Sequence, residues 1–190
     1  MTPVFMLVGP PAVGKSTTSR ALAAHFPRSL HIPVDDLRMM VVSGLALPGL
    51  DWSAALVEQL RLARSTVTHM ALTYQQAGFV VVIDDFQDSG LSADSAALFN
   101  QVPVHKVLLY PTQEEAHRRN LQRSGDTPAR TYIDEGIREV YRQLNPIIPQ
   151  LTAEGWLILD TTEMNVEATV QTLVDSASTP DLNRTIVNRR

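Results

Sequence analysis

The feature that most constrains this chain is the segment Gly9-Pro-Pro-Ala-Val-Gly14-Lys15-Ser16, which matches the phosphate-binding loop pattern G-x-x-x-x-G-K-[ST] without a mismatch. It follows the apolar run Val4–Val8, which is typical of a buried parallel strand, and it precedes a predicted helix from Ser16 to Phe26. A strand, a glycine-rich loop and a helix N-terminus in this order surround phosphates with backbone N–H groups and partial positive charge. The sequence therefore predicts that the chain binds a nucleoside triphosphate.

Individual residues of this loop have predicted roles. The Lys15 amine can reach the β- and γ-phosphates, and the Ser16 hydroxyl can ligate Mg²⁺. The chain has no Asn-Lys-x-Asp guanine motif, which favours ATP over GTP. The predicted nucleotide-binding residues of the loop are Gly9, Pro10, Pro11, Ala12, Val13, Gly14, Lys15, Ser16 and Thr17.

Length and composition limit the remaining possibilities. A chain of 190 residues is most simply one domain, and its net charge of −4 argues against a broad basic surface that follows a long nucleic acid. Without cysteine it has no disulfide, zinc–thiolate site or thiol nucleophile, and its five histidines match no metal-binding spacing. No signal peptide or membrane span is visible, so we expect no membrane partner and a cytoplasmic location.

The chain alternates between strand-like and helix-like segments, which predicts an α/β fold with a parallel sheet between two layers of helices. The longest predicted helix, Trp52–Ala77, has apolar residues at spacings of three and four and is ended by Gly78. We expect one domain over residues 1–178, loops at 44–51 and 124–130, and a loosely packed tail at 179–190. The predicted strands are Val4–Val8, Leu30–Val34, Phe79–Ile83, Val104–Tyr110 and Trp156–Leu159.

Two aspartates and an arginine follow the second predicted strand, at the edge of the sheet where parallel α/β folds bind ligands. A phosphotransferase needs a carboxylate here to take the proton of the attacking hydroxyl, and Asp35 is the candidate because it comes first after the strand. Asp36 would then cap the next helix, and Arg38 could hold an anionic substrate or the phosphoryl group in transfer. The alternative is that both aspartates only cap a helix and that Arg38 is structural.

The third predicted strand ends in Asp84-Asp85, an apolar strand followed by carboxylates that typically hold Mg²⁺ directly or through water. Neighbouring residues of a strand point to opposite faces, so the pattern alone leaves open whether Asp84 or Asp85 faces the metal. Two solvent-facing loop aspartates are the alternative.

Arginines cluster in a predicted helix after the fourth strand, just before Ser124-Gly125. Arg119 and Arg123 share a helix face and could close over the phosphates and neutralise charge in the transition state, as a lid at about 118–135. A solvated basic helix face is the alternative. After the fifth strand, Asp160-Thr161-Thr162 either borders the nucleotide base or simply ends the strand.

Taken together, these elements resemble P-loop kinases of the AAA_33-type group, which includes polynucleotide kinases, chloramphenicol phosphotransferases and zeta-toxin kinases. The resemblance rests on the phosphate-binding loop, on Asp35-Asp-Leu-Arg38, on Asp85 and on Arg119-Asn…Arg123, and it spans the chain up to about residue 145. Ile83-Asp-Asp-Phe and Leu159-Asp-Thr-Thr are similar to the corresponding stretches of chloramphenicol phosphotransferase.

The resemblance implies a nucleoside-kinase-like three-layer P-loop NTPase fold with a lid and five parallel strands in the order 2-3-1-4-5. It implies that Asp35 is the general base, that Arg38 contacts the hydroxyl-bearing substrate, and that Arg119 and Arg123 belong to the nucleotide lid. It also favours Asp85 over Asp84 at the metal.

We therefore expect a kinase that uses ATP and Mg²⁺ to phosphorylate a hydroxyl group. Its expected catalytic residues are Asp35, Lys15, Arg38 and Arg123, with Ser16 and Asp85 or Asp84 at the metal. The favoured substrate is a small molecule such as an antibiotic, a nucleoside, a sugar or a metabolite. A 5′-hydroxyl kinase of short nucleic acids is the first alternative, and an ATP-hydrolysing switch without a hydroxyl substrate is the second.

Overall fold

The computed structural model describes residues 1–48 and 52–178. Its five strands form one sheet in which every neighbouring pair is parallel, in the order β2-β3-β1-β4-β5. The predicted strand order is thereby confirmed. The predicted tail 179–190 and residues 49–51 of the predicted loop lie outside the described residues. The strands are β1 Val4–Val8, β2 Ser29–Pro33, β3 Val80–Asp84, β4 Val104–Leu109 and β5 Leu157–Leu159.

Helices connect the strands, as parallel pairing requires. A short 3₁₀ turn, Asn145–Ile147, lies between α7 and α8. The helices are α1 Lys15–Ala24, α2 Val34–Met39, α3 Ala54–Gln76, α4 Leu91–Asp94, α5 Ala96–Gln101, α6 Gln113–Ser124, α7 Pro128–Leu144, α8 Ile148–Ala153 and α9 Val166–Ser178.

The central strands β1 and β3 are buried on both faces because they are apolar at successive positions. Val4, Met6 and Val8 of β1 pack on the face covered by α3, α4, α5 and α8, whereas Phe5 and Leu7 pack on the face covered by α1, α6 and α9. Complete burial of each such side chain contributes about 1.5–3 kcal/mol. The result is a three-layer sandwich in which the central strand β1 delivers the phosphate-binding loop.

Most element ends differ from the sequence predictions by one or two residues. The long helix runs from Ala54 to Gln76, where Ser53 caps its N-terminus by accepting a hydrogen bond from Leu56 N–H at 3.1 Å. Gly78 follows its C-terminus with φ of 83°, which confirms the predicted glycine stop.

The prediction that Asp36 caps the helix after β2 was wrong. Pro33 occupies the N-cap position, and α2 begins at Val34, so both aspartates lie in its first turn. There they interact favourably with the positive end of the helix dipole without making a cap hydrogen bond. Sequence reasoning missed this start because Val34 continues the apolar run of the strand.

Within residues 1–48 and 52–178, no helix is both long and apolar enough to cross a membrane.

Candidate active site at the phosphate-binding loop

The backbone of the phosphate-binding loop explains its glycines. A Cβ atom on Gly9 would lie 2.5 Å from the Leu109 carbonyl oxygen at the end of β4, so only glycine fits there. Ala12 and Gly14 have φ angles of 63° and 94°, and α1 begins directly after Gly14. Left-handed residues in a turn that leads directly into a helix N-terminus are typical of backbone that presents N–H groups to an anion.

The Lys15 amine lies over this loop. Its Nζ donates hydrogen bonds to the carbonyl oxygens of Gly9 and Pro10 at 2.9 and 3.0 Å. Burial lowers the pKa of Lys15, and the charges of Asp84, Asp35 and Asp85 oppose that shift. The fold therefore brings these three predicted carboxylates within electrostatic reach of the predicted phosphate-binding amine.

Asp35 and Arg38 form an ion pair at the carboxyl end of β2. The Arg38 Nη1 lies 3.1 Å from Asp35 Oδ1, and the two side chains are 6% and 69% exposed. The second Arg38 terminal nitrogen donates to the Ala46 carbonyl at 2.8 Å, and Gln59 of α3 in turn accepts from Ala46 N–H at 2.9 Å. Arg38 is thus buried, and its ion pair holds the exposed carboxylate of Asp35 in position.

Asp84 and Asp85 point to different surroundings, as the pleat of a strand predicts. The Asp84 Oδ2 is buried and has no hydrogen-bond partner within the described part of the chain. The nearest charge partner of Asp84 is His31, whose Nε2 lies 3.7 Å from Asp84 Oδ2. Both oxygens of Asp85 are occupied, because Oδ2 accepts from Arg64 Nε at 2.8 Å and Oδ1 from Phe86 N–H at 2.7 Å.

Arg64 of α3 is a residue that the sequence analysis missed. It is 3% exposed and forms ion pairs with Asp85, Asp88 and Asp94, the last at 3.2 Å. Burial alone would lower the pKa of Arg64, but hydrogen bonds and charge from Asp88 and Asp85 raise it overall. Burial raises the pKa of Asp85, and Arg64 works against that rise.

A signal for Arg64 was present in the sequence. In the long helix it lies four residues after Leu60 and three before Val67, on the apolar stripe that packs against the sheet. A buried arginine needs carboxylate partners, and the aspartate-rich stretch after β3 supplies them.

The predicted lid arginines lie in different places. Arg119 is fixed by three hydrogen bonds, to the Val13 carbonyl at 2.9 Å, the Thr161 carbonyl at 2.6 Å and the Glu115 carboxylate at 2.7 Å. Arg123, one turn further along α6, is exposed, and its positive charge contributes to lowering the pKa of Lys15. Arg119 thus joins the phosphate-binding loop to the turn after β5, and Arg123 lies near enough to Lys15 for its charge to act on that amine.

The segment predicted as a lid consists of the end of α6, the connector 125–127 and the first turns of α7. The two helices are tied together by Asn120, which donates to the Arg130 carbonyl at 3.1 Å and to Asp134 at 2.9 Å. Tyr132 of α7 donates to the Pro48 carbonyl at 2.5 Å, which links this hairpin to the loop after α2. The closure of this hairpin over a bound nucleotide stays a prediction.

The turn after β5 lies beside the phosphate-binding loop. Asp160 accepts hydrogen bonds from the backbone N–H and the hydroxyl of Thr162 at 2.9 and 2.5 Å. Because Arg119 connects Thr161 to Val13, this turn and the loop form one wall of the site.

The structure thus places the predicted loop, Asp35, Arg38, Asp84 and Asp85 at one edge of the sheet, and the charge of Arg123 acts on Lys15 there. Among residues 1–48 and 52–178, no group of three or more histidine, aspartate or glutamate side chains could hold a metal ion. A Mg²⁺ site here would therefore combine few protein oxygens with phosphate oxygens, which is the usual arrangement for Mg²⁺ in nucleotide sites.

The sheet order and the loop define the chain as a P-loop NTPase of the kinase-like type. A family model described as an AAA domain, AAA_33, matches residues 4–145. The chain belongs to this family. A search of curated protein sequences found no significant match.

Solved structures show the same fold. The tunicamycin resistance protein of Deinococcus radiodurans aligns with a TM-score of 0.67 at 15% identity, over 93% of this chain and 96% of that one. Shikimate kinase from Bacteroides thetaiotaomicron aligns with a TM-score of 0.64 at 17% identity, over 93% and 99%. Shikimate kinase from Acinetobacter baumannii, in complex with shikimate, aligns with a TM-score of 0.63 at 16% identity, over 96% of both chains. The kinase-like fold suggests ATP-dependent phosphotransfer.

Proposed function

We propose that this protein transfers the γ-phosphate of ATP to a hydroxyl group of a small molecule. The observation that carries the proposal is the exposed Asp35 carboxylate, which buried Arg38 holds at the end of β2 within electrostatic reach of Lys15. A hydrolytic switch has no need of a carboxylate at this place, whereas a kinase needs one beside the attacking hydroxyl.

In the proposed reaction, the loop amides and Lys15 hold the phosphates of ATP. Asp35 takes the proton of the substrate hydroxyl as its oxygen forms a bond to the γ-phosphorus, and the bond from that phosphorus to the β-phosphate oxygen breaks, so that ADP leaves. Arg123 stabilises charge on the phosphoryl group in transfer. Arg119, fixed between the loop and the turn after β5, borders the nucleotide.

The residues present fit a Mg²⁺ ion. Asp84 has a buried carboxylate oxygen with no hydrogen-bond partner within the described residues, and the Ser16 side chain is exposed at the start of α1. We assign Asp84, with Ser16, to the metal, because Arg64 and Phe86 N–H already occupy the carboxylate of Asp85. Bound Mg²⁺ would neutralise phosphate charge. The choice of Asp85 implied by the family resemblance stays an untested alternative.

The test compares Asp35→Asn with Asp36→Asn. Both aspartates are exposed in the first turn of α2, so the second variant is a control for charge and for helix stability. Asp35→Asn should keep ATP binding and reduce transfer from γ-labelled ATP by roughly 10²–10⁴-fold, as expected for loss of a general base. Asp36→Asn should transfer label at close to the wild-type rate.

Transfer is measured on a panel of nucleosides, sugars, antibiotics and 5′-hydroxyl oligonucleotides, with Lys15→Ala as the blank. Full transfer by Asp35→Asn would remove Asp35 as the base. Label that appears solely as free phosphate with every substrate would favour the ATP-hydrolysing switch instead.

A further inference from the structure

The charges of the site are unevenly distributed. We use the term acceptor side for residues 34–48 and 84–94, the segments that follow β2 and β3. Pro33 pairs with Asp84 in the sheet, so the two segments leave the sheet side by side. Within them are six aspartates and one arginine, with no lysine or histidine: Asp35, Asp36, Asp84, Asp85, Asp88, Asp94 and Arg38.

The two arginines that reach the acceptor side are already neutralised by carboxylates. Arg64 contacts Asp85, Asp88 and Asp94, and each of its three nitrogens donates to at least one of these aspartates. Arg38 is 6% exposed and paired with Asp35. The charged side chains of the acceptor side, with Arg64 included, therefore sum to a net negative charge, which an incoming carboxylate or phosphate group would meet.

Two polar atoms of the acceptor side are buried without a hydrogen bond to another described residue. The Arg38 Nε and the Gln87 Oε1 are buried and have no hydrogen-bond partner within the described residues. The Arg38 Nε can donate a hydrogen bond, and the Gln87 Oε1 can accept one. Buried polar atoms are normally paired, so a substrate that reached this region with uncharged hydroxyl or carbonyl groups could form hydrogen bonds there without bringing a charge.

Exposed apolar side chains are frequent in residues 39–62, a stretch that overlaps the first segment of the acceptor side. Of the twelve exposed large hydrophobic residues within the described part of the chain, seven lie between residues 39 and 62. Trp52 is 44% exposed and contacts Phe86 of the acceptor side edge to face, with ring centroids 5.9 Å apart. The seven are Met39, Met40, Val42, Leu47, Trp52, Val57 and Leu62.

We propose that the substrate phosphorylated by this protein is an uncharged hydroxyl compound with an apolar or aromatic face, and that the aspartates of the acceptor side exclude substrates that carry a carboxylate or phosphate. This inference rests on the proposed kinase function. It adds the chemical class of the substrate, which neither the fold nor the phosphate-binding loop defines.

The experiment uses two pairs of probes whose members differ mainly in charge. Methyl mandelate and mandelate share a hydroxyl group and a phenyl ring. The first carries an uncharged methyl ester where the second carries a carboxylate. 3′-O-methylthymidine and thymidine 3′-monophosphate each have the 5′-hydroxyl as their sole alcohol and differ in a methyl ether against a phosphate. Transfer from γ-labelled ATP is measured for each probe at millimolar concentration with the wild-type protein and with Lys15→Ala. The uncharged member of each pair should be phosphorylated at least about tenfold faster.

A second measurement changes the charge of the acceptor side itself. Asp88→Asn removes one carboxylate from Arg64, and Glu167→Gln removes the same charge from an exposed position on α9. At separations near 10 Å and an effective dielectric constant of about 20–40, one charge should raise the relative rate of the anionic probe roughly fourfold or more in Asp88→Asn. Glu167→Gln should leave the ratio unchanged. Circular dichroism checks that both variants fold. If Asp88→Asn does not fold, the comparison of the probe pairs with the wild-type protein is the test.

Each outcome separates the two proposals. ATP binding and Lys15-dependent turnover with equal or faster transfer to the anionic probes would overturn the substrate class and leave the kinase function standing. Lys15-dependent ATP hydrolysis without transfer to either uncharged probe would also overturn it. If ATP does not displace a fluorescent ATP analogue from the protein, the proposed kinase function itself is overturned.

Discussion

Replacing Arg64 by methionine should destabilise the protein strongly. Methionine fills much of the space of the arginine stem, but it leaves three aspartates without their common cation, and Asp85 is only 3% exposed. Removal of one partner from a buried ion pair costs about 3–5 kcal/mol, because the remaining charge stays out of water. We therefore expect a loss of about that size in the free energy of unfolding.

The assay is urea and thermal unfolding followed by circular dichroism at pH 7.5. For a chain of this length, each kcal/mol shifts the melting temperature by about 2–4 °C, so Arg64→Met should melt roughly 6–20 °C lower. Arg61→Met is the matched control, since Arg61 is exposed on the same helix. Its free energy of unfolding should change by no more than about 0.5 kcal/mol.

The pH dependence gives a second readout with a defined sign. Burial already raises the pKa of Asp85, and loss of Arg64 removes the largest opposing effect, so the pKa of Asp85 rises further in the variant. A carboxyl group whose pKa is raised on folding destabilises the folded state, and the cost is complete above the folded-state pKa. As the pH falls from that pKa to the lower pKa of the unfolded chain, the cost disappears. The defect of Arg64→Met should therefore be largest at neutral pH and smaller near pH 5.

Two results would refute this reasoning. If Arg64→Met and Arg61→Met unfold at the same urea concentration, the ion-pair cluster contributes no more than an exposed arginine. If the defect is equally large at pH 7.5 and pH 5, uncompensated carboxylate charge is not its cause.

Three further predictions concern the loop, the metal and acid stability. Gly9→Ala should lose about 1–3 kcal/mol of stability and most nucleotide binding, because its Cβ would lie 2.5 Å from the Leu109 carbonyl; displacement of a fluorescent ATP analogue measures the binding. Asp84→Asn should raise the Mg²⁺ concentration needed for Lys15-dependent ATP turnover about tenfold or more, whereas Asp85→Asn should mainly lower the melting temperature; equal Mg²⁺ titrations would contradict this assignment. Hydrogen bonds from arginine lower the pKa of Glu115 from 4.5 to about 2, so wild-type stability should fall as the pH drops through that range, and Glu115→Gln should show a flatter acid unfolding profile.

The local elements were predictable because their signals are local. The phosphate-binding pattern, the apolar strands and the apolar stripe of α3 each lie within a few residues, and the structure confirms these elements to within one or two residues at most ends. The start of α2 was an exception, because Val34 fits both the end of a strand and the first turn of a helix, and local pattern does not choose between them.

The sequence by itself determined a parallel α/β fold, the phosphate-binding loop and the edge of the sheet at which aspartates and arginines gather, since spacing along the chain suffices for these features. Only the tertiary structure decided which carboxylate is occupied. Arg64 lies 21 residues before Asp85 in the chain, and their ion pair exists because α3 packs against β3. That contact occupies Asp85 and neutralises Arg64, whereas the buried Oδ2 of Asp84 has no hydrogen-bond partner among the described residues. Such long-range pairing depends on how helices pack on the sheet, and residue spacing carries no record of it.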